Sequence, residues 1–112
     1  MFKHEKQLFH PVAVERPNPH YAALMQEQLG GGNGELKAAM QYMAQSFRIK
    51  DPAIKDLFMD IAAEELGHME MICAMVYQLT KDLPMKEIKE SGFDAYYIDH
   101  TTALWPQAAA GL

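Results

Sequence analysis

The sequence predicts an all-α fold: an antiparallel helical hairpin, half of a four-helix bundle, flanked by an extended N-terminal arm and an irregular C-terminal tail. Three observations predict it. An apolar stripe at helical spacing runs from Pro52 to Thr80, a glycine-broken helical pattern precedes it, and only Ile49 to Asp51 separate the two. A connection that short folds neighbouring helices back against each other.

The arm comes first. Residues Met1 to Asn18 carry two prolines and alternations such as Pro11-Val12-Ala13-Val14, the pattern of an extended segment lying on something else. A helix starts at Pro19, with Asn18 as N-cap and the proline in the first turn, where its missing N–H is harmless. The run Gly30-Gly31-Gly32-Asn33-Gly34 interrupts that helix, and helical spacing resumes at Glu35, Ala38, Ala39, Tyr42 and Met43 up to about Arg48. The glycines follow a helix rather than a strand and lack the Lys-Ser/Thr of a phosphate loop, so they read as a helix break or a close helix approach.

Asp51-Pro52 then supplies a cap and a first-turn proline for the second arm of the hairpin, which Asp82 and Pro84 end. Ile54, Phe58, Ile61, Ile72, Val76 and Leu79 fall on one face at ~100° per residue, and such a stripe must be packed. A short helix around Met85 to Glu90, closed by Gly92, follows. The remainder, with Tyr96, Tyr97 and Trp105, has no periodicity and is expected to wrap a surface.

Composition bounds the function. A chain of 112 residues with 49% hydrophobic residues is a single small domain, expected to assemble with something else to complete its core. A net charge of -5 argues against nucleic acid as a partner. Every apolar run falls short of the ~20 residues a membrane-spanning helix needs, and the opening residues carry acid as well as base with no continuous apolar run after them, so no cleaved export signal and a cytoplasmic protein are expected. Cys73, the single cysteine, reads as a small buried hydrophobe. The nine methionines read as adaptable core, and His4, His10, His20 and His100 as surface residues.

Chemistry concentrates on the long helix. Glu65 and His68 are polar exceptions within its apolar stripe, three residues apart and therefore side by side, so that a carboxylate oxygen and an imidazole nitrogen can converge on one ion. Glu35 lies fifteen residues before Lys50 and Glu65 fifteen after it, which puts the two carboxylates at the same height in a tight hairpin. Left without partners in an apolar seam, these groups would be strongly destabilising, whereas a divalent cation offsets their burial. A Glu-His hydrogen-bonded pair is the plainer alternative. Glu64, four residues before His68, competes as a ligand but continues the polar line of Asp56 and Asp60, while Glu70 points away from the stripe. One hairpin supplies two carboxylates and one imidazole. A two-fold axis between two hairpins would supply four and two, the set used in ferritin-like four-helix bundles, so a homodimer or higher even oligomer is the expected partner arrangement.

The stretches Asn18-Pro19, Glu27-Gln28-Leu29-Gly30-Gly31, Gly34-Glu35-Leu36 and Asp60-Ile61-Ala62-Ala63-Glu64-Glu65-Leu66-Gly67-His68-Met69-Glu70-Met71 resemble the manganese catalases and their spore-coat relatives. The resemblance spans nearly the whole chain and corresponds to the family's N-terminal half. It implies a ferritin-like fold and a dimanganese centre that dismutates hydrogen peroxide to water and dioxygen, with Glu35, Glu65 and His68 as first-half ligands and Tyr42 as a tyrosine near them. A packed aromatic is the plainer reading of Tyr42. Family members continue through a second hairpin with a further Glu and His. This sequence is therefore a piece of a longer protein, a short protein completed by a second copy of itself, or a protein without the activity. Carboxylate and imidazole suit manganese and iron alike, which leaves a ferritin-like iron oxidase and a metal-binding structural coat protein as alternatives to the catalase.

Overall fold

The computed structural model describes residues 3–30 and 33–92. Among them are helices α1 (Pro19–Gly30), α2 (Glu35–Ser46), α3 (Pro52–Thr80) and α4 (Met85–Glu90), and no strand. The architecture is a hairpin whose first arm is broken in two: α1 and α2 lie in succession along the single long helix α3. The expected tail with Tyr96, Tyr97 and Trp105, and His100, lies outside the described residues.

Local chemistry sets each helix end. The Tyr21 N–H donates to Asn18 Oδ1 at 3.1 Å, capping α1, and Asp51 Oδ1 accepts from the Ala53 and Ile54 N–H groups at 2.9 and 3.3 Å, capping α3. Beyond Thr80 the chain reverses through Asp82 at φ 60, a left-handed conformation that Asp tolerates better than most residues. Gly92 at φ 81 follows α4, as its position in the sequence predicts.

The core sits at the far end of α3 from the α2–α3 turn. Ala22 of α1, Ile72, Val76 and Leu79 of α3, and Ile88 of α4 form one buried cluster, with Val14, Met25, Leu29 and Leu83 packed against it. The Asn18 N–H donates to the Leu79 carbonyl at 2.7 Å and ties the start of α1 to the end of α3. At the turn end, Tyr42 of α2 meets Phe58 of α3 edge-on, with ring centroids 5.7 Å apart.

The stripe on α3 is only partly covered. Ile72, Val76 and Leu79 are buried, but Ile54, expected to be packed, is 46% exposed. It lies in the first turn of α3, where the chain has just come out of the α2–α3 turn and little backbone is available to cover it. Leu36, Met40, Phe47 and Leu57 are exposed as well. Cys73 also departs from expectation: it is exposed. Next to Ile72 and therefore turned ~100° from it, Cys73 leaves the buried stripe and lines a groove of about 860 Å³ beneath the N-terminal arm, where neighbouring groups push its thiol pKa up, burial first and the Glu70 carboxylate second.

The extended arm lies on α3, held by one side-chain amide. The Val14 N–H donates to Gln78 Oε1 at 2.7 Å, and Gln78 Nε2 donates to the Val12 carbonyl at 2.9 Å, so Gln78 satisfies the arm as a neighbouring strand would. Nearer the terminus, His4 Nε2 and Glu70 Oε2 lie 2.6 Å apart, an exposed contact through which Glu70 also anchors the arm. Gln78→Ala is expected to lower stability by about 1–2 kcal/mol and to abolish slow exchange of the Val14 amide. Amide hydrogen exchange and thermal unfolding check this.

Candidate metal centre

Glu35, Glu65 and His68 come together midway along the hairpin. Glu35 is the first residue of α2, and Glu65 and His68 are adjacent on α3, so the turn at residues 47–51 and the antiparallel run bring them to one level. His68 Nδ1 lies 3.5 Å from Glu65 Oε2 and 3.8 Å from Glu35 Oε2. One ligand atom from each of the three residues lies within 4.8 Å of the others, the one such group among the described residues. All three are half-buried.

These distances suit a shared ion better than direct pairing. They exceed a good hydrogen bond, whereas donors bound to one small divalent ion at ~2.1 Å stand roughly 3–4 Å apart. The carboxylates also need a positive charge. Sharing a proton with Glu65 is the largest cause raising the Glu35 pKa, followed by burial, while His68 acts in the opposite direction. Two carboxylates placed side by side raise the cost of ionising Glu35, and a bound cation would offset that repulsion. The residues present therefore fit a metal ion.

Glycine makes this approach possible. A Cβ at Gly34 would stand 2.8 Å from the carbonyl oxygens of both Glu27 and Gln28, so only glycine lets the end of α1 lie against the start of α2, next to Glu35. At Gly34 the glycine run thus serves a close helix approach, one of the two readings expected of it. Gly34→Ala must displace backbone, and since it would move Glu35 relative to α3, metal affinity is expected to fall about 10-fold or more. Isothermal titration with manganese measures it.

The other sequence candidates stand apart. Glu64 is exposed and outside the group. Tyr42, two turns along α2 from Glu35, meets the Phe58 ring. Phe9, whose ring centroid lies 6.2 Å from that of His68, was not legible in the sequence; the path of an extended arm follows no periodicity that would have pointed to it. Among the described residues, no helix is long and apolar enough to cross a membrane.

Known proteins resemble this chain. The sequence pattern of the family described as manganese containing catalase matches residues 1–104. Over 78 residues the chain is 68% identical to a Clostridium acetobutylicum protein named "Probable manganese catalase", covering 68% of this chain and 35% of that protein. It is 44% identical along all 112 residues to Protein CotJC of Bacillus subtilis, of which it covers 59%. Among solved structures it resembles KatB, a manganese catalase from Anabaena, with 42% identity and a TM-score of 0.77 over 80% of this chain and 42% of that one. The chain thus spans about a third to three fifths of the length of these curated relatives.

Proposed function

This chain belongs to the manganese-containing catalase family, and on that premise we propose that Glu35, Glu65 and His68 hold manganese in a centre that disproportionates hydrogen peroxide to water and dioxygen. The convergence of three donor groups within 4.8 Å carries the reading. The fold is ferritin-like and helical, and the hairpin is half of the bundle such a centre occupies. A single half-domain over residues 1–112, completed by a second copy or by a further hairpin, would bring the second set of ligands. The exposed Leu36, Met40, Ile54 and Leu57 are the apolar residues such a completion would cover.

Bound manganese would supply the electron exchange by which one peroxide is oxidised to dioxygen and another reduced to two waters, the two protons and two electrons released by the first being taken up by the second. The chain's own residues do the rest. Glu35, at the N-terminus of α2, and Glu65, on α3, clamp from opposite helices, so the metal position is fixed by helix packing. His68 presents Nδ1 to the same point. Glu35, whose carboxyl is pushed up in pKa first by hydrogen bonding to Glu65 and then by burial, is placed to accept and return protons beside the metal. Tyr42, edge-on to Phe58, stiffens the α2–α3 seam two turns away and is the tyrosine we assign to the centre's surroundings.

Oxygen evolution from peroxide by manganese-loaded protein, measured with metal content and solution mass, tests the proposal. An even oligomer with turnover is expected. Full manganese occupancy without oxygen evolution would sink the catalase reading and favour a metal-binding coat constituent, the alternative that half a ligand set in one hairpin supports. Iron-dependent oxygen consumption would instead identify an oxidase, since this donor set suits iron as well as manganese.

A further inference from the structure

We propose that Phe9, on the N-terminal arm, is a positioning residue for His68, holding the imidazole with Nδ1 turned toward Glu35 and Glu65; this rests on the metal-centre reading above. A metal-binding imidazole is normally locked by a hydrogen bond from its second ring nitrogen to a carboxylate, carbonyl or water. Among the described residues His68 has ion-pair contacts only through Nδ1, to the two carboxylates, and nothing bonds Nε2. Its side chain is 38% exposed, so burial does not hold the ring either. The aromatic ring set beside it is that of Phe9, its centroid 6.2 Å away and its plane tilted by 43°, within the range of favourable aromatic pairing.

Phe9 is itself seated. A Cβ on Gly67 would stand 2.7 Å from Phe9 Cδ2 and 3.4 Å from Phe9 Cε2, so the ring fills the notch left by glycine, one residue before His68 on α3. The arm is anchored on both sides of this point, by His4 with Glu70 before it and by Val12 and Val14 with Gln78 after it. A glycine within a helix is ordinarily unfavourable; here it makes room for the ring that orders the next side chain. Phe9 remains 55% exposed, so replacing it leaves the core intact.

The test loads the unsubstituted chain, Phe9→Ala, Phe9→Tyr and Gly67→Ala with manganese(II) and follows release into excess chelator, together with the thermal midpoint of each metal-free protein. Release from Phe9→Ala is expected to be about 3- to 10-fold faster, and Phe9→Tyr, which keeps the ring, should restore the wild-type rate. Gly67→Ala should release manganese as fast as Phe9→Ala while its metal-free midpoint holds or rises, because alanine favours the helix; a merely structural role for Phe9 would not produce that combination. Wild-type release from Phe9→Ala, or release from Phe9→Tyr as fast as from Phe9→Ala, overturns the positioning role alone. Failure of the unsubstituted chain to take up manganese overturns the metal-centre reading and this inference with it.

Discussion

His68→Ala is expected to lose manganese binding altogether, with affinity falling by at least about 100-fold, since loss even of groups one layer outside a metal costs 10- to 100-fold. The imidazole is the one neutral donor of the group, and its Nδ1 is the atom that faces both carboxylates. The change is legible in stability. At free manganese 100 times its dissociation constant, a site present only in the folded protein stabilises it by about 2.7 kcal/mol, so the wild-type melting temperature should rise with manganese and that of the variant should not. With its side chain 38% exposed, His68 can be truncated without opening a cavity in the core, and the metal-free proteins should melt alike. Retention of stoichiometric metal by the variant would show that other residues are the ligands.

Glu35→Gln is expected to change sign with the metal. In the metal-free protein the Glu35 carboxyl is pushed up, first by sharing a proton with Glu65 and then by burial. The folded chain therefore holds more protons than the unfolded chain between the ordinary glutamate value of about 4.3 and the raised native one. Stability from this group is greatest below the ordinary value and is lost as pH rises through the native value. Glutamine is neutral and does not titrate, so the metal-free variant should be more stable than wild type above that window and flatter across it. With manganese the order inverts: wild type gains and the variant, short of one carboxylate, binds about 10-fold or more weakly. Thermal melts from pH 4 to 8 with and without manganese display both effects. A metal-free variant less stable than wild type at neutral pH would show that Glu35 has a structural partner instead.

Helix ends were legible because they depend on neighbours in sequence. Asn18-Pro19, Asp51-Pro52 and Gly92 each act within a turn, and the helices begin and end where those residues predict. The level of Glu35 with Glu65 was legible because a tight turn makes height a matter of counting. Coverage was not. The stripe on α3 tells which face is apolar, not how far its neighbours reach, and so Ile54 and Cys73 were placed inside when both are exposed. The path of the arm was hidden for another reason: it is set by contacts distant in sequence, Gln78 with Val12 and Val14 and Gly67 with Phe9, which no local pattern encodes.

The break between α1 and α2 divides the labour of α3. Around Glu65 and His68 the long helix answers to α2, and from Ile72 onward it answers to α1 and α4. Ile72, one turn from His68, stands where the two regions meet, but Leu79 at the far end of the core lies eleven residues, roughly 16 Å along the axis, from His68, beyond the range at which substitutions ordinarily influence one another. Changes at the metal-holding residues and at that far end of the core should therefore combine additively. A lineage could retune its chemistry at one end of α3 while the fold's stability drifts independently at the other.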